Sequence, residues 1–291
     1  MPERLDVLKT WKLSIGGAFP RSESGRTDVL HGANGEPIAH LCRASRKDLR
    51  QAVEVATSAA SGWAKRTAYN RGQILYRMAE MMEGRHAEFV TVIRQGSGAT
   101  AAQAKREVNS AIDRLVAFAG WTDKFSQVLG CHNPVAGPYY NFTVPEPTGV
   151  VGIVPPDAAA LLGLITLLAP VVCAGNTAIV ITGRRHPLPA LLLGEVCATS
   201  DVPGGVINVL SGHRSELLEP LASHRGIDAI SAANLRRPER TLLRTESADN
   251  LKRIHHERVR DDDWADDRFD APWMIEPFVE MKTIWHPSAA R

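Results

Sequence analysis

The stretch from Glu146 to Pro156 reads E-P-T-G-V-V-G-I-V-P-P, and Leu168 to Thr182 follows as L-A-P-V-V-C-A-G-N-T-A-I-V-I-T. Ser200 to Gly212 continues the theme with S-D-V-P-G-G-V-I-N-V-L-S-G. Gly149 to Val154, Thr177 to Ile181 and Val206 to Leu210 are short unbroken apolar runs, and Asp228 to Ile230 is a fourth. Between them, Leu161 to Cys173, Leu188 to Ala198 and Ser215 to Ala222 have helical length and composition. Strands that are apolar throughout are covered on both faces, and their alternation with helices predicts right-handed βαβ crossovers. The fold class is therefore α/β, a Rossmann-like doubly wound parallel sheet.

Outward from that region the pattern changes. Val53, Ala56 and Ala60 recur at helical spacing, as do Ile74, Leu75, Met78, Met81 and Met82, then Val108, Ile112, Leu115, Val116 and Ala119. These predict N-terminal helices in which the methionines fill core gaps. Gly16-Gly17 between Lys12 to Ile15 and Ala18 to Phe19 predicts a tight hairpin. Pro138 to Pro145 encloses a strand-like piece with Tyr139, Tyr140, Phe142 and Val144. From Leu235 to Asp270 the apolar content collapses: eight cations from Arg236 to Arg260 precede Asp261, Asp262, Asp263, Asp266 and Asp267. Segregated charge of this kind predicts a solvated linker.

The bulk numbers exclude several classes. With 34 basic and 32 acidic residues among 291, the net charge of +2 gives no global field for nucleic acid or an anionic membrane. The longest apolar stretch, Ala158 to Ala174, is interrupted by Gly163, Thr166 and Pro170 and predicts a buried helix rather than a bilayer span. Cys42, Cys131, Cys173 and Cys197 form no C-x-x-C pair, and the N-terminus lacks the order of a secretory signal. A cytoplasmic protein with reduced thiols is expected. Cys173 lies in an apolar helix and reads as an inert thiol. His255-His256-Glu257 has no second ligand pair at a metal spacing, so no metal is expected. Ser211-Gly212-His213 lacks the context of a nucleophile elbow.

The three quoted segments resemble the nucleotide-binding half of the aldehyde dehydrogenase superfamily. K-L-S-I-G-G-A-F from Lys12, R-G-Q-I-L-Y-R-M-A-E from Arg71 and A-G-W-T-D-K from Ala119 extend the resemblance upstream, and V-E-M-K-T-I-W-H-P from Val279 is similar to the family's closing strand. The resemblance implies a division into residues 1–233, a nucleotide-binding domain with an oligomerisation hairpin near 138–148. Residues 234–272 would be a charged linker in place of the catalytic domain, and 273–291 a C-terminal oligomerisation strand. It is closest to the second dehydrogenase-like region of a bipartite branch, which implies a truncated subunit.

That resemblance implies chemistry needing a thiolate nucleophile, a carboxylate general base, an oxyanion-stabilising amide and a nicotinamide. No cysteine follows Cys197, and no E-L-G-G-K-type segment is found. The asparagine of the family's P-W-N-F-P loop falls at Ala158. The lysine that holds the adenosine ribose falls at Thr182 and the nearby glutamate at Arg184 or Arg185, where a guanidinium donates but cannot accept. An arginine there would favour a phosphorylated nucleotide. The glycine of F-T-G-S falls at Asn234 within Ala232-Ala233-Asn234-Leu235, and Pro238 is expected to forestall the helix that follows. Val154, Pro155, Pro156, Thr182 and Gly212 remain as a vestigial cofactor groove, with no catalytic residue. NAD or NADP is the cofactor in question, and tight binding is not expected. The expected role is a catalytically deficient structural or regulatory subunit, paired with a full-length aldehyde dehydrogenase or with itself. The alternative is an NAD(P)-dependent oxidoreductase whose catalytic residues come from a partner.

Overall fold

The computed structural model describes residues 7–288; residues 1–6 and 289–291, the latter within the expected C-terminal strand, lie outside the described residues. The chain opens with β1 (Thr10–Trp11), β2 (Thr27–His31) and β3 (Pro37–Cys42), a small sheet in the order β1-β3-β2. Four helices follow: α1 (Arg46–Ala64), α2 (Ala68–Gly84), α3 (His86–Ser97) and α4 (Ala101–Trp121). Ser45 caps α1 and Thr100 caps α4, each in a reciprocal box with Asp48 or Gln103, so the first turns have side-chain acceptors for their free N–H groups. Short α5 (Phe125–Leu129) leads into β4 (Cys131–Asn133) and β5 (Tyr139–Pro147).

The expected doubly wound sheet is then built from β6 (Val150–Val154), α6 (Ala160–Cys173), β7 (Thr177–Ile181), α7 (Leu188–Cys197), β8 (Ile207–Leu210), α8 (Arg214–Ser223) and β9 (Ala229–Ala233). α9 (Arg237–Ala248) and β10 (Arg253–Glu257) complete it. Its five strands are all parallel, in the order β10-β9-β6-β7-β8. The alternation along each strand separates two cores. Val151, Ile153, Val180 and Val209 face α2, α4, α6 and α7, while Val154, Ile179, Ile181 and Ile230 face α1 and α8. Helix α6 is buried from Leu161 to Cys173, the state of a helix that is apolar all round. Among the described residues no helix is long and apolar enough to cross a membrane.

The Gly16-Gly17 turn is present as a short hairpin: both glycines have positive φ, Ile15 and Ala18 exchange N–H to O bonds of 3.0 Å, and Ser14 also pairs with Val209 at the edge of β8. Two local expectations need correction. Pro238 does not prevent a helix. It stands in the first turn of α9, where a proline sacrifices no hydrogen bond, and Glu239 accepts from Arg236 N at 2.9 Å. The stretch 234–272 is not a solvated linker: after β10 it runs through four 3-10 turns between Asp261 and Phe278. Trp264, Phe269, Ile275 and Phe278 are buried there at intervals wide enough to keep the mean apolar content low. The charges are absorbed locally or across the fold, as in Arg260–Asp263 and Arg114–Asp270, each 2.8 Å.

The final strand β11 (Val279–Pro287) pairs antiparallel with β5 over its whole length, in a sheet ordered β11-β5-β4. The strand-like piece between prolines and the closing strand thus meet in one arm. Tyr139, Met281 and Trp285 are exposed on one face of it, Tyr140 and Ile284 on the other.

Candidate cofactor crevice

In a doubly wound sheet the natural ligand position lies outside the carboxyl ends of the strands, where successive connections depart in opposite directions. Here β6 proceeds through α6 to β7 on one side, and β9 through α9 to β10 on the other, so β6 and β9 flank that point. The loops around it contain Val154, Pro155, Pro156, Thr182, Gly212 and Asn234, which the fold gathers at one end of the sheet.

Each of these residues also has a packing role. Val154, Pro155 and Pro156 are buried. A Cβ at Gly163 would lie 2.4 Å from Pro156 Cγ, so the glycine lets the loop after β6 rest on α6. A side chain at Gly212 would meet Leu217 at 3.0 Å and the Ala44 backbone at 3.3 Å. Thr182 is fully buried and its Oγ1 has no hydrogen-bond partner. Arg184 and Arg185 are exposed beyond it. Asn234, at the position of the F-T-G-S glycine, has φ 52°, a left-handed conformation that asparagine tolerates. Its side chain is committed inward, donating to Val259 O at 2.8 Å and accepting from Val259 N at 3.0 Å.

One residue that escaped the sequence reading crosses the crevice. Arg214, the first residue of α8, donates through Nη2 to Pro155 O and places Nη1 3.7 Å from Asp157 Oδ2. Asp157 lies so close over the next loop that a Cβ at Gly183 would be 2.5 Å from its Oδ1. The N-terminus of α6 is also taken. Ala159 supplies no cap, and Glu107 of α4 accepts from Leu161 N at 2.9 Å. Burial raises the Glu107 pKa, offset in part by those backbone donors. Glu107, Asp157, Asp261 and Asp262 line one cleft of about 670 Å³ with Ala158 and His186. The fit to a dinucleotide is therefore poor: the ribose-binding side chains are replaced, a guanidinium bridges the crevice, and the orphaned Asp157 Oδ1 is an acceptor that repels phosphate.

The thiols are placed away from this end or buried. Cys42, Cys173 and Cys197 are buried, with burial pushing the Cys173 thiol up and Cys197 up to about 12, while exposed Cys131 lies on β4 of the arm. Ser211 donates to Cys42 O and His213 pairs with Asp28, so they do not act on one another. His255 and His256 project from opposite faces of β10, and among the described residues no group of three or more His, Cys, Asp or Glu side chains could hold a metal.

Glu257 is the second residue the sequence reading undervalued. It is half-buried at the carboxyl end of β10, with Oε1 2.9 Å from His255 Nε2. That neighbour holds its carboxyl below the usual carboxylate range, so it is ionised at neutral pH. The residues after it, Arg258-Val259-Arg260, contain neither the glycines nor the lysine of an E-L-G-G-K-type segment.

Fold and crevice together define an open α/β sheet of the dinucleotide-binding kind. The aldehyde dehydrogenase family profile matches residues 19–258, and the chain belongs to that family. It is 33% identical to retinal dehydrogenase 2 of Gallus gallus over 252 residues, which are 85% of this chain and 48% of that protein. Cytosolic aldehyde dehydrogenase 1 of Elephantulus edwardii is 29% identical over 84% of this chain and 49% of its own length. The NAD+ complex of an aldehyde dehydrogenase from Bacillus cereus superposes with a TM-score of 0.81 at 24% identity, over 86% of this chain and 51% of that one. The chain thus spans about half the length of these relatives, and the match continues through α9 and β10 to include Glu257.

Proposed function

We propose that this chain is a non-catalytic aldehyde dehydrogenase family subunit that associates through its β arm with a full-length family member or with itself, in the cytoplasm. The observation that carries the reading is the arm. A three-stranded sheet needs a covered apolar face for independent stability, yet Tyr139, Tyr140, Met281, Ile284 and Trp285 are exposed across its two faces, Trp285 at 59%. The outer edges of β4 and β11 are available for pairing as well. Meanwhile the crevice is bridged from within, three of the four cysteines are buried, and Cys131 lies on the arm.

Light scattering and co-purification with a co-expressed full-length aldehyde dehydrogenase test this. The unaltered chain should form a complex of higher mass, and Trp285→Glu with Ile284→Glu should dissolve it while leaving a folded α/β body. A unit-mass chain that recovers no partner in either form refutes the association. A truncation used for the same purpose must begin at Glu280, because Phe278 and Val279 belong to the core.

Glu257 favours a second reading, in which a partner supplies the nucleophile and this chain an ionised carboxylate at the sheet's carboxyl edge. That reading requires NAD or NADP to bind with useful affinity. Calorimetric titration separates the two, since micromolar binding, about −8 kcal/mol, supports the half-site and negligible binding the scaffold.

A further inference from the structure

The two faces of the β arm differ in chemistry. In the register of β4, β5 and β11, His132 lies beside Phe142 and Phe142 beside Ile284, while in the next row Tyr140 lies beside His286. Directly paired residues, and those two apart along a strand, share a face of the sheet, so these side chains form one patch. The rings of His132 and Tyr140 stack at 4.8 Å, and those of Tyr140 and Phe142 are 5.2 Å apart. An apolar centre of Tyr140, Phe142 and Ile284 is thus bracketed by imidazoles on the two outer strands. The centre of the opposite face is polar and bonded within itself: Asn133 donates to Asn141 at 2.6 Å and to Thr143 at 3.0 Å, and the Thr143 and Thr283 hydroxyls are 2.9 Å apart.

Both histidines are exposed, and among the described residues neither forms a hydrogen bond or an ion pair. The other ionisable groups on their face are Tyr140, Glu146, Glu280 and Lys282, of which Lys282 pairs with Glu146 at 2.6 Å and Glu280 with Arg253. Cys131 and Tyr139 belong to the opposite face, and neither α5, which packs on β5, nor the turn between β4 and β5 carries a titratable side chain. Glu146 stands four residues along β5 from Phe142. That is about 13 Å at the rise of a strand, beyond the screening length of about 8 Å at physiological salt.

Resting on the association through the arm proposed above, we propose that His132 and His286 make it pH-dependent: the complex forms with both imidazoles neutral and comes apart when they take up protons. Histidine changes its charge between about pH 5 and 8. Covering the patch removes the imidazoles from water beside apolar rings, with no free carboxylate of this chain in reach, and so disfavours their charged form. Protons are then bound more weakly in the complex than on the free arm. Association is therefore fully present above the histidine range and is lost as pH falls through it. Each excluded proton weakens it by up to about tenfold per pH unit, and two by up to about a hundredfold.

Light scattering of the full chain, alone and with a co-expressed full-length aldehyde dehydrogenase, tests this at about pH 8 and about pH 5.5. The complex should be present at the higher pH and at least about tenfold weaker at the lower, with circular dichroism reporting the fold at both. His132→Gln with His286→Gln, polar but not titratable, should associate at both. His132→Lys with His286→Lys, a fixed charge, should stay apart at both, and it reads the effect of charge at the higher pH whatever the fold does at the lower. A complex undiminished at the lower pH, a glutamine variant as sensitive as the unaltered chain, or a lysine variant that associates normally would each overturn the inference and leave the arm reading in place. Absence of any complex at the higher pH refutes the arm reading and this inference with it, so the two failures are told apart.

Discussion

Replacing Arg114 by methionine should release the segment that closes the fold after β10. Arg114 is 2% exposed on α4, and its guanidinium reaches four partners: Asp270 Oδ1 at 2.8 Å, Thr166 Oγ1 at 2.6 Å, Trp264 O at 2.7 Å and Asp266 O at 3.2 Å. Three of them belong to the 3-10 turns, so one side chain ties these turns to α4 and α6. Each hydrogen bond to a charged group contributes about 1.5–3 kcal/mol, and bonds sharing one donor group do not add. Severing a buried pair costs about 3–5 kcal/mol. Asp270 retains 37% of its side-chain exposure and regains water, and methionine leaves no buried cation, so the estimate falls to about 2–4 kcal/mol. At roughly 2 °C per kcal/mol for a chain of this size, the melting temperature should fall by about 4–8 °C.

Calorimetry reads the first consequence and trypsin the second. Arg260 and Arg268 flank the buried Trp264 and Phe269, whose rings stack at 5.6 Å, and both sites should become sensitive in the variant as the tryptophan emission shifts to the red. Arg260→Met, which removes only an exposed pair with Asp263, is the control and should change neither property. A melting temperature within about 1 °C of the unaltered protein, with undiminished resistance at Arg268, would refute the role assigned to Arg114.

Other outcomes follow from the same geometry. Arg214→Ala combined with Asp157→Asn should tighten NAD+ binding about 5- to 30-fold in calorimetry, since clearing the crevice otherwise costs about 1–2 kcal/mol in lost hydrogen bonds; unchanged affinity would show that Arg214 is not the obstacle. Lys252 is lowered to about 8 by burial, with Asp228 opposing the shift. Between that value and its ordinary one the unfolded chain binds the extra proton, so stability should rise with pH from about 8 to 10. Lys252→Met should flatten that rise, and parallel profiles in denaturant melts would contradict it. Of the four cysteines, Cys131 alone should react with a thiol reagent in the native state, and mass spectrometry locating rapid modification at Cys173 or Cys197 would overturn the burial argument.

Four strands of the parallel sheet were legible because β6, β7, β8 and β9 are each buried on both faces, which leaves an unbroken apolar run flanked by turn residues. The region after Asn234 was misread for the opposite reason. β10 is an edge strand of sequence R-I-H-H-E, half-buried and therefore mixed in composition, and the turns beyond it bury a few large rings amid many aspartates. An average over such a window reports the aspartates and misses the anchors. Pro238 breaks a helix only away from its first turn, where it in fact stands, and Asn234 meets the same requirement for positive φ as a glycine. Arg214 could not be found at all from the sequence: its reach to Pro155 and Asp157 exists only because β8 ends two places from β6 in the sheet. Glu257 carries a sequence signal, a carboxylate closing a short strand-like run, which the adjacent histidines mask as a metal-ligand set.

The disposition of charge at the crevice works against an anionic ligand. A dinucleotide approaching the carboxyl edge meets Asp157, Asp261 and Asp262 beside Arg106, with Glu107 already occupying the first turn of α6. Arg214, the cation that could have welcomed a phosphate, is oriented toward Pro155 and Asp157 and is largely covered. Phosphate needs donors converging within hydrogen-bond distance. Transplanting an arginine to the crevice would therefore not restore a cofactor site while Asp157 faces it.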